Sequence, residues 1–261
     1  MPNLSNGLQD GFQRRLRQLR NWFETPSGSS LLAVQQQLLD NVLETTFGYY
    51  ACQLTVTCGV DLLHRSAAGH HFSMELPDEV PPPLSTMACD PYYWPVSPGC
   101  LDVVVLHHML EVAQSPHRLL SEAAKSIIPE GKLIIIGFNP WSLHALSRWV
   151  VPERYKVFSL SRFLHVSRLR DWLTLLGFSI ERIDYGDYCQ SLLRLAQSRT
   201  GGALEGFLKE MRCPAGSFYM IQATHEVHGV TPLKATWKHV KRSLVGSSAA
   251  RPSVRNFGEN S

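Results

Sequence analysis

Leu101-Asp102-Val103-Val104-Val105-Leu106-His107-His108, then Ser115-Pro116, then Pro129-Glu130-Gly131-Lys132-Leu133-Ile134-Ile135-Ile136-Gly137-Phe138-Asn139 decide the fold. The aliphatic run around Val103 to Leu106 has no polar alternation, the mark of a strand buried on both faces as in parallel sheets. Ser115 suits an N-cap and Pro116 the first helical position, where a missing N–H costs nothing. Leu119, Leu120, Ala123, Ala124 and Ile127 recur at helical spacing on one face. A break is expected at Pro129-Glu130-Gly131, with Gly131 ending the turn, and Lys132 to Gly137 reads as a second buried strand. Right-handed crossover makes the two strands parallel neighbours, and ligands bind beyond the carboxyl ends of such strands. His107, His108, Phe138 and Asn139 would then stand at a binding rim.

Asp90, Leu101-Asp102-Val103-Val104-Val105, Met109-Leu110-Glu111, Leu119-Leu120, Pro129-Glu130-Gly131-Lys132-Leu133 and Gly137 follow in that order. Together they resemble the later motifs of class I S-adenosylmethionine-dependent methyltransferases. The nearest branch is the type 11 small-molecule one, which includes quinone-biosynthesis enzymes. Gly137-Phe138-Asn139-Pro140-Trp141-Ser142-Leu143 is similar to a set of bacterial methyltransferases of unassigned substrate. The resemblance implies an α/β fold: a Rossmann-like, mainly parallel seven-stranded sheet with helices on both faces, N-terminal helices and cap insertions. It implies S-adenosyl-L-methionine as cofactor, held by Leu54, Thr55, Thr57, Gly59, Glu75, Asp90, Pro91 and His107.

The chain has 261 residues and 44% hydrophobic content, enough for one sizeable core. Only 18% of residues are charged and the net charge is +3, so no global nucleic-acid signal exists. No apolar run approaches bilayer length, and no apolar signal core follows the N-terminus, so a cytoplasmic protein is expected. Cys52, Cys58, Cys89, Cys100, Cys189 and Cys213 show no C-x-x-C pairing and are expected as reduced thiols. Three segments are expected: N-terminal helices over 1–46, a methyltransferase-like domain over 47–232 with insertions 141–166 and 186–216, and a basic, flexible tail over 233–261.

From Leu8, Phe12, Leu16 and Leu19 share a helical face, and Arg14, Arg15, Arg17 and Arg20 crowd the others, where solvation is the expected role and a phosphate or membrane-surface contact the alternative. A turn is expected from Trp22 to Ser30 around Pro26-Ser27-Gly28. A second helix is expected from Leu31 to Thr45, with Leu31, Val34, Leu38 and Val42 buried. In the class resembled, helices placed so cover the cofactor pocket. Ala51 to Thr57 is the candidate first strand. The wider family ends that strand in a glycine-rich turn, whereas Gln53-Leu54-Thr55-Val56-Thr57-Cys58-Gly59 has one glycine.

His70 to Met74 would be the second strand, followed by Glu75 for the ribose hydroxyls, with Asp78 as competitor. Leu84 to Cys89 is a short third strand beyond the proline-rich Glu79 to Pro83. Asp90 matches the family's acidic position for the adenine amino group, and Tyr92, Tyr93 and Trp94 offer flat surface beside it. His107 and His108 have three roles open to them: lining the cofactor pocket, removing a proton from the acceptor as the catalytic base, or ligating metal with Glu111 and His117. Plain structural packing is the fourth reading, and no metal is expected.

The first insertion, rich in Trp141, Trp149, Tyr155, Phe158, Arg148, Arg154 and Lys156, fits a lid over a planar or anionic small-molecule acceptor, or packing onto the N-terminal helices. Ser167 would cap a helix stopped by Gly177, Phe178 to Tyr185 would be strand six, and Phe218 to Thr224 a last antiparallel strand. Lys234, Lys238, Lys241, Arg242, Arg251 and Arg255 leave contact between the tail and RNA or an acidic partner open. Two further function classes stand beside methyl transfer. One is a catalytically inactive methyltransferase fold acting as a binding or scaffold protein. The other is a nucleotide-dependent oxidoreductase, which the absent three-glycine fingerprint disfavours.

Overall fold

The computed structural model describes residues 4–76, 86–142, 163–187 and 216–226. The chain divides into two compact units, Met1–Val227 and His228–Ser261, and the described residues all belong to the first. Asp78, the Glu79 to Pro83 loop, most of both insertions, Cys189, Cys213 and the 233–261 tail lie outside the described residues.

The buried aliphatic runs become strands β1 (Tyr50–Thr55), β2 (His70–Glu75), β3 (Thr86–Ala88), β4 (Leu101–His107), β5 (Ile127–Phe138), β6 (Phe178–Gly186) and β7 (Phe218–His225). They form one sheet in the order β3-β2-β1-β4-β5-β7-β6, parallel except where β7 pairs antiparallel with β5 and β6. This order reverses direction between β1 and β4, and in open α/β sheets ligands bind beyond the carboxyl ends of the strands at such a point. Five helices complete the described fold: α1 (Leu4–Phe23), α2 (Pro26–Leu43), α3 (Met109–Val112), α4 (Pro116–Ser126) and α5 (Val166–Leu175).

Several local expectations need correction. Trp22 to Ser30 is not an extended turn, because Thr25 accepts a hydrogen bond from the Gly28 N–H through Oγ1, Pro26 occupies the first turn, and α2 begins at once. The Pro129-Glu130-Gly131 break is a bulge inside β5: Leu101 pairs with Ile127 and Val103 with Lys132, so the intervening residues arch out of register. Glu130, at φ +64°, takes the left-handed conformation. Gly131 is needed for space, since a Cβ there would stand 2.6 Å from Ile127 and 3.0 Å from the Asp102 carbonyl oxygen. The first strand stops at Thr55, where the Thr57 N–H donates to Thr55 Oγ1 (3.1 Å) and turns the chain.

Ser115 caps nothing with its side chain, and its N–H donates to the Tyr92 hydroxyl instead (3.0 Å). His165, not Ser167, occupies the cap position of α5. Asp102, which interrupts the apolar run of β4, starts β1 by accepting from the amides of Tyr49 (3.0 Å) and Tyr50 (2.9 Å). Residues 56–69 form turns, so no helix follows β1 where the wider fold has one.

Candidate functional site

The site is built from β-strand ends below and α1 and α2 above. Phe12, Leu16, Leu19 and Phe23 on α1 are buried, and Phe23 packs against His107 (centroids 5.4 Å apart), His108 (5.1 Å) and Phe138 (6.3 Å). Arg14 and Arg17 are exposed. Arg15 and Arg20 correct the expectation of a solvated face: Arg15 donates to the Val112 carbonyl (3.1 and 3.2 Å), and the buried Arg20 donates from Nε to the Val56 carbonyl (2.8 Å). These bonds tie α1 to the turns after β1 and α3.

Beneath α1 runs a continuous polar network. Thr57 Oγ1 lies 2.7 Å from Thr55 Oγ1, which lies 2.8 Å from His107 Nδ1. His107 Nε2 is 3.0 Å from Gln35 Oε1, and Gln35 Nε2 is 2.9 Å from His108 Nε2. His108 Nδ1 is 3.3 Å from Glu111 Oε1, which also accepts from the Phe138 N–H (2.7 Å). Gln35, His107 and His108 are fully buried. His108 adopts φ +55°, an uncommon left-handed conformation that turns the chain from β4 into α3.

Both nitrogens of both rings are engaged, so neither ring has a free lone pair for an acceptor's proton. Burial first, and then the neighbouring His108, holds His107 well below the ordinary histidine range, so the ring is neutral. Among the described residues no group of three or more His, Cys, Asp or Glu could hold a metal, and His117 instead packs edge-on against Trp172. The arrangement favours the lining and positioning roles for the pair.

The sign of the pH effect follows from His107. The unfolded ring gains a proton near its ordinary value of 6.5, while the folded one stays neutral to a lower pH. Its contribution to stability is therefore complete above that value and lost as pH falls from there toward the depressed folded value, at up to about 1.4 kcal/mol per pH unit. Urea midpoints should drop accordingly between about pH 7 and pH 5. A level midpoint across that window would contradict a buried neutral His107.

A second group of candidate residues lies at the ends of β1, β2 and β3. Glu75, buried at the end of β2, accepts through Oε1 from the Gly59 N–H (3.2 Å). Gly59 has φ +68° and nothing within 4 Å of a would-be Cβ, so this turn faces open space on its outer side. Asp90 is exposed, and its Oδ1 accepts from the Tyr92 N–H (2.8 Å) to close a tight turn after β3. Tyr93 is 68% exposed beside it, with the Arg118 guanidinium 5.9 Å from its ring centroid and 5.1 Å from that of Tyr92. Pro91 is buried, and its carbonyl accepts from the Trp94 indole N–H (3.1 Å). Leu54 is a fully buried core residue of β1, paired with Met74 and Leu106.

The structure therefore brings Thr55, Thr57 and His107 into one network and Gly59 with Glu75 into another. Gln35 and Glu111 complete the first; Gln35 had not been singled out from sequence, and Glu111 only as a possible metal ligand beside the histidines. Near its Glu111 end, Tyr219 is buried, and burial followed by that carboxylate pushes its phenol well above the ordinary tyrosine value. Cys58 is exposed in the β1 turn, whereas Cys52 and Cys89 are buried. Burial, with Asp90 second, pushes the Cys89 thiol up to about 12.

Sheet order and strand directions are those of a Rossmann-like methyltransferase fold, with Glu75 closing β2 and Asp90 just after β3. Residues 47–135 match the family described as "Methyltransferase domain". The chain is 40% identical over 91 residues to the uncharacterized protein YafS of Escherichia coli, a match covering 35% of this chain and 38% of YafS. It thus spans under two fifths of the length of that curated relative. Among solved structures, a SAM-dependent methyltransferase from Thermotoga maritima superposes with TM-score 0.55 at 16% identity, covering 84% of this chain and all of that one (100%). One from Archaeoglobus fulgidus gives 0.50 at 14% identity, covering 72% and 94%. At such identities the likeness is one of fold. No helix among the described residues is long and apolar enough to cross a membrane.

Proposed function

We propose that this chain is a methyltransferase that binds S-adenosylmethionine over the carboxyl ends of β1, β2 and β4 and methylates a small-molecule acceptor. The observation that carries the reading is the buried Glu75 carboxylate at the end of β2, bonded to the left-handed Gly59 of the β1 turn. Carboxylate oxygens suit two vicinal hydroxyl donors, so Glu75 would hold the ribose. Asp90 would accept from the adenine amino group, and the exposed Tyr93 ring would take the purine face. These residues fit an adenosine. The sulfonium methyl supplies the intrinsic reactivity, which leaves the protein to orient the acceptor and exclude water. Its amino-acid end would approach Thr57 and His107 beneath Phe23 and Arg20.

Cys58 gives a direct test. Because it adjoins Gly59, S-adenosylhomocysteine should slow iodoacetamide alkylation of the Cys58 peptide, measured by mass spectrometry, while Cys52 and Cys89 stay unmodified in both samples. Unchanged Cys58 labelling at saturating ligand, in folded protein, would sink the proposal. The domain divisions 1–46, 47–232 and 233–261 belong to the same reading, with the residues after Pro140 supplying the acceptor cap.

A second reading, a binding or scaffold protein on an inactive methyltransferase fold, is favoured by the cover over His107 from Phe23 and Gln35, and by the missing helix after β1. It predicts no cofactor protection of Cys58.

A further inference from the structure

The network beneath α1 has a definite direction. Glu111 Oε1 accepts from the Phe138 N–H, so the His108 Nδ1 that faces the same oxygen must be the donor. In neutral His108, Nε2 is then an acceptor, and the Gln35 amide nitrogen donates to it. The other end of the carboxamide is Oε1, which only accepts, so His107 carries its hydrogen on Nε2. His107 Nδ1 is left as an acceptor and takes the Thr55 hydroxyl hydrogen. Thr55, having given its hydrogen away, accepts from both the Thr57 N–H and the Thr57 hydroxyl. The Thr57 oxygen ends the chain with its hydrogen spent and a lone pair remaining.

We infer that Gln35 is a positioning residue: its carboxamide locks opposite tautomers on His107 and His108 and so makes the Thr57 hydroxyl an obligate hydrogen-bond acceptor for a donor group of the ligand. The lock follows from the network alone, and only its use for a ligand rests on the function proposed above. An amide offers an acceptor to one ring and a donor to the other, and does so without titrating. A charged His108 would reverse every bond from Gln35 to Thr57, which makes the direction observable.

Long-range nitrogen-proton correlation spectra of the full-length protein at neutral pH should show His107 as the Nε2–H tautomer and His108 as the Nδ1–H tautomer. Any other pair in the wild-type protein overturns the lock without a variant being needed. In Gln35→Met, similar in size and unable to bridge, the two rings should lose this fixed pairing, and unchanged tautomers in the folded variant would overturn it too. For the ligand, Thr57→Val should weaken S-adenosylhomocysteine binding about tenfold while Thr57→Ser retains it. Equal affinity for Thr57→Val with good wild-type binding overturns the acceptor role and leaves the methyltransferase reading standing. Absence of wild-type binding overturns both of those, and the spectra still judge the lock.

Discussion

With Glu75 on the ribose as proposed, Glu75→Ala should weaken S-adenosylmethionine binding about a hundredfold, because two charge-assisted hydrogen bonds would be lost together, on the order of 3 kcal/mol. The substitution also removes the acceptor for the Gly59 N–H, so part of the loss is a loosened turn. Glu75→Gln separates the two effects. Its amide oxygen still accepts from Gly59, but its charge is gone and its nitrogen cannot accept, so a loss nearer tenfold is expected. Calorimetric titration of both variants, with thermal melts to verify folding, measures the pair. Wild-type affinity in folded Glu75→Ala would remove the ribose assignment.

Gly28→Ala should produce the largest loss of stability of any methyl-sized change here. Gly28 lies in the first turn of α2, where the end of α1 crosses it: an added Cβ would overlap the Trp22 carbonyl oxygen and stand 2.5 Å from the Phe23 Cα. Those neighbours are backbone, so no rotamer change relieves the overlap, and the helices must separate. The cost is about 3 kcal/mol, at the upper end for overpacking, and for a chain of this size lowers the melting midpoint by roughly 6–12 °C. Moving α1 also disturbs Phe23 over His107 and His108, so Trp22 fluorescence should shift to longer wavelength. An unchanged melt would mean that the two helices do not meet as described.

The two helices also show where the sequence was legible and where it was not. The sheet was readable because Val103 to Leu106 and Leu133 to Ile136 are apolar without alternation, which only strands buried on both faces require. The mainly parallel seven-stranded sheet followed from the methyltransferase-like motifs, and β7 lies antiparallel as they imply, though between β5 and β6 rather than at the sheet edge. On α2 the apolar residues Leu31, Val34, Leu38 and Val42 suggested one face, but the fully buried stripe is Leu31, Gln35, Leu39 and Leu43. Three of those four are leucines at helical spacing, and a glutamine in the fourth place was the available signal for a buried functional polar group. Periodicity weighs hydrophobicity alone, so it passed over Gln35. Arg20 was misread for the same reason: a charge next to an apolar stripe looks solvated until the carbonyl that takes its hydrogen is known.

Glu75, Asp90 and Gly59 could be placed from sequence at strand ends, and His107 and His108 at the end of β4, but not the network that engages all four ring nitrogens. The loss of a helix between β1 and β2 had a weak sequence sign in the single glycine at Gly59. Only the structure shows that residues 56–69 run as turns from one strand to the next.

The proposed function stands on S-adenosylmethionine binding over the carboxyl ends of β1, β2 and β4. Isothermal titration of full-length, nucleoside-free protein with S-adenosylhomocysteine, S-adenosylmethionine and NADH tests it most directly. The account predicts saturable binding of the first two at one site per chain and none of NADH. Folded protein that binds neither adenosyl compound would contradict it and leave a methyltransferase fold serving as a binding or scaffold protein.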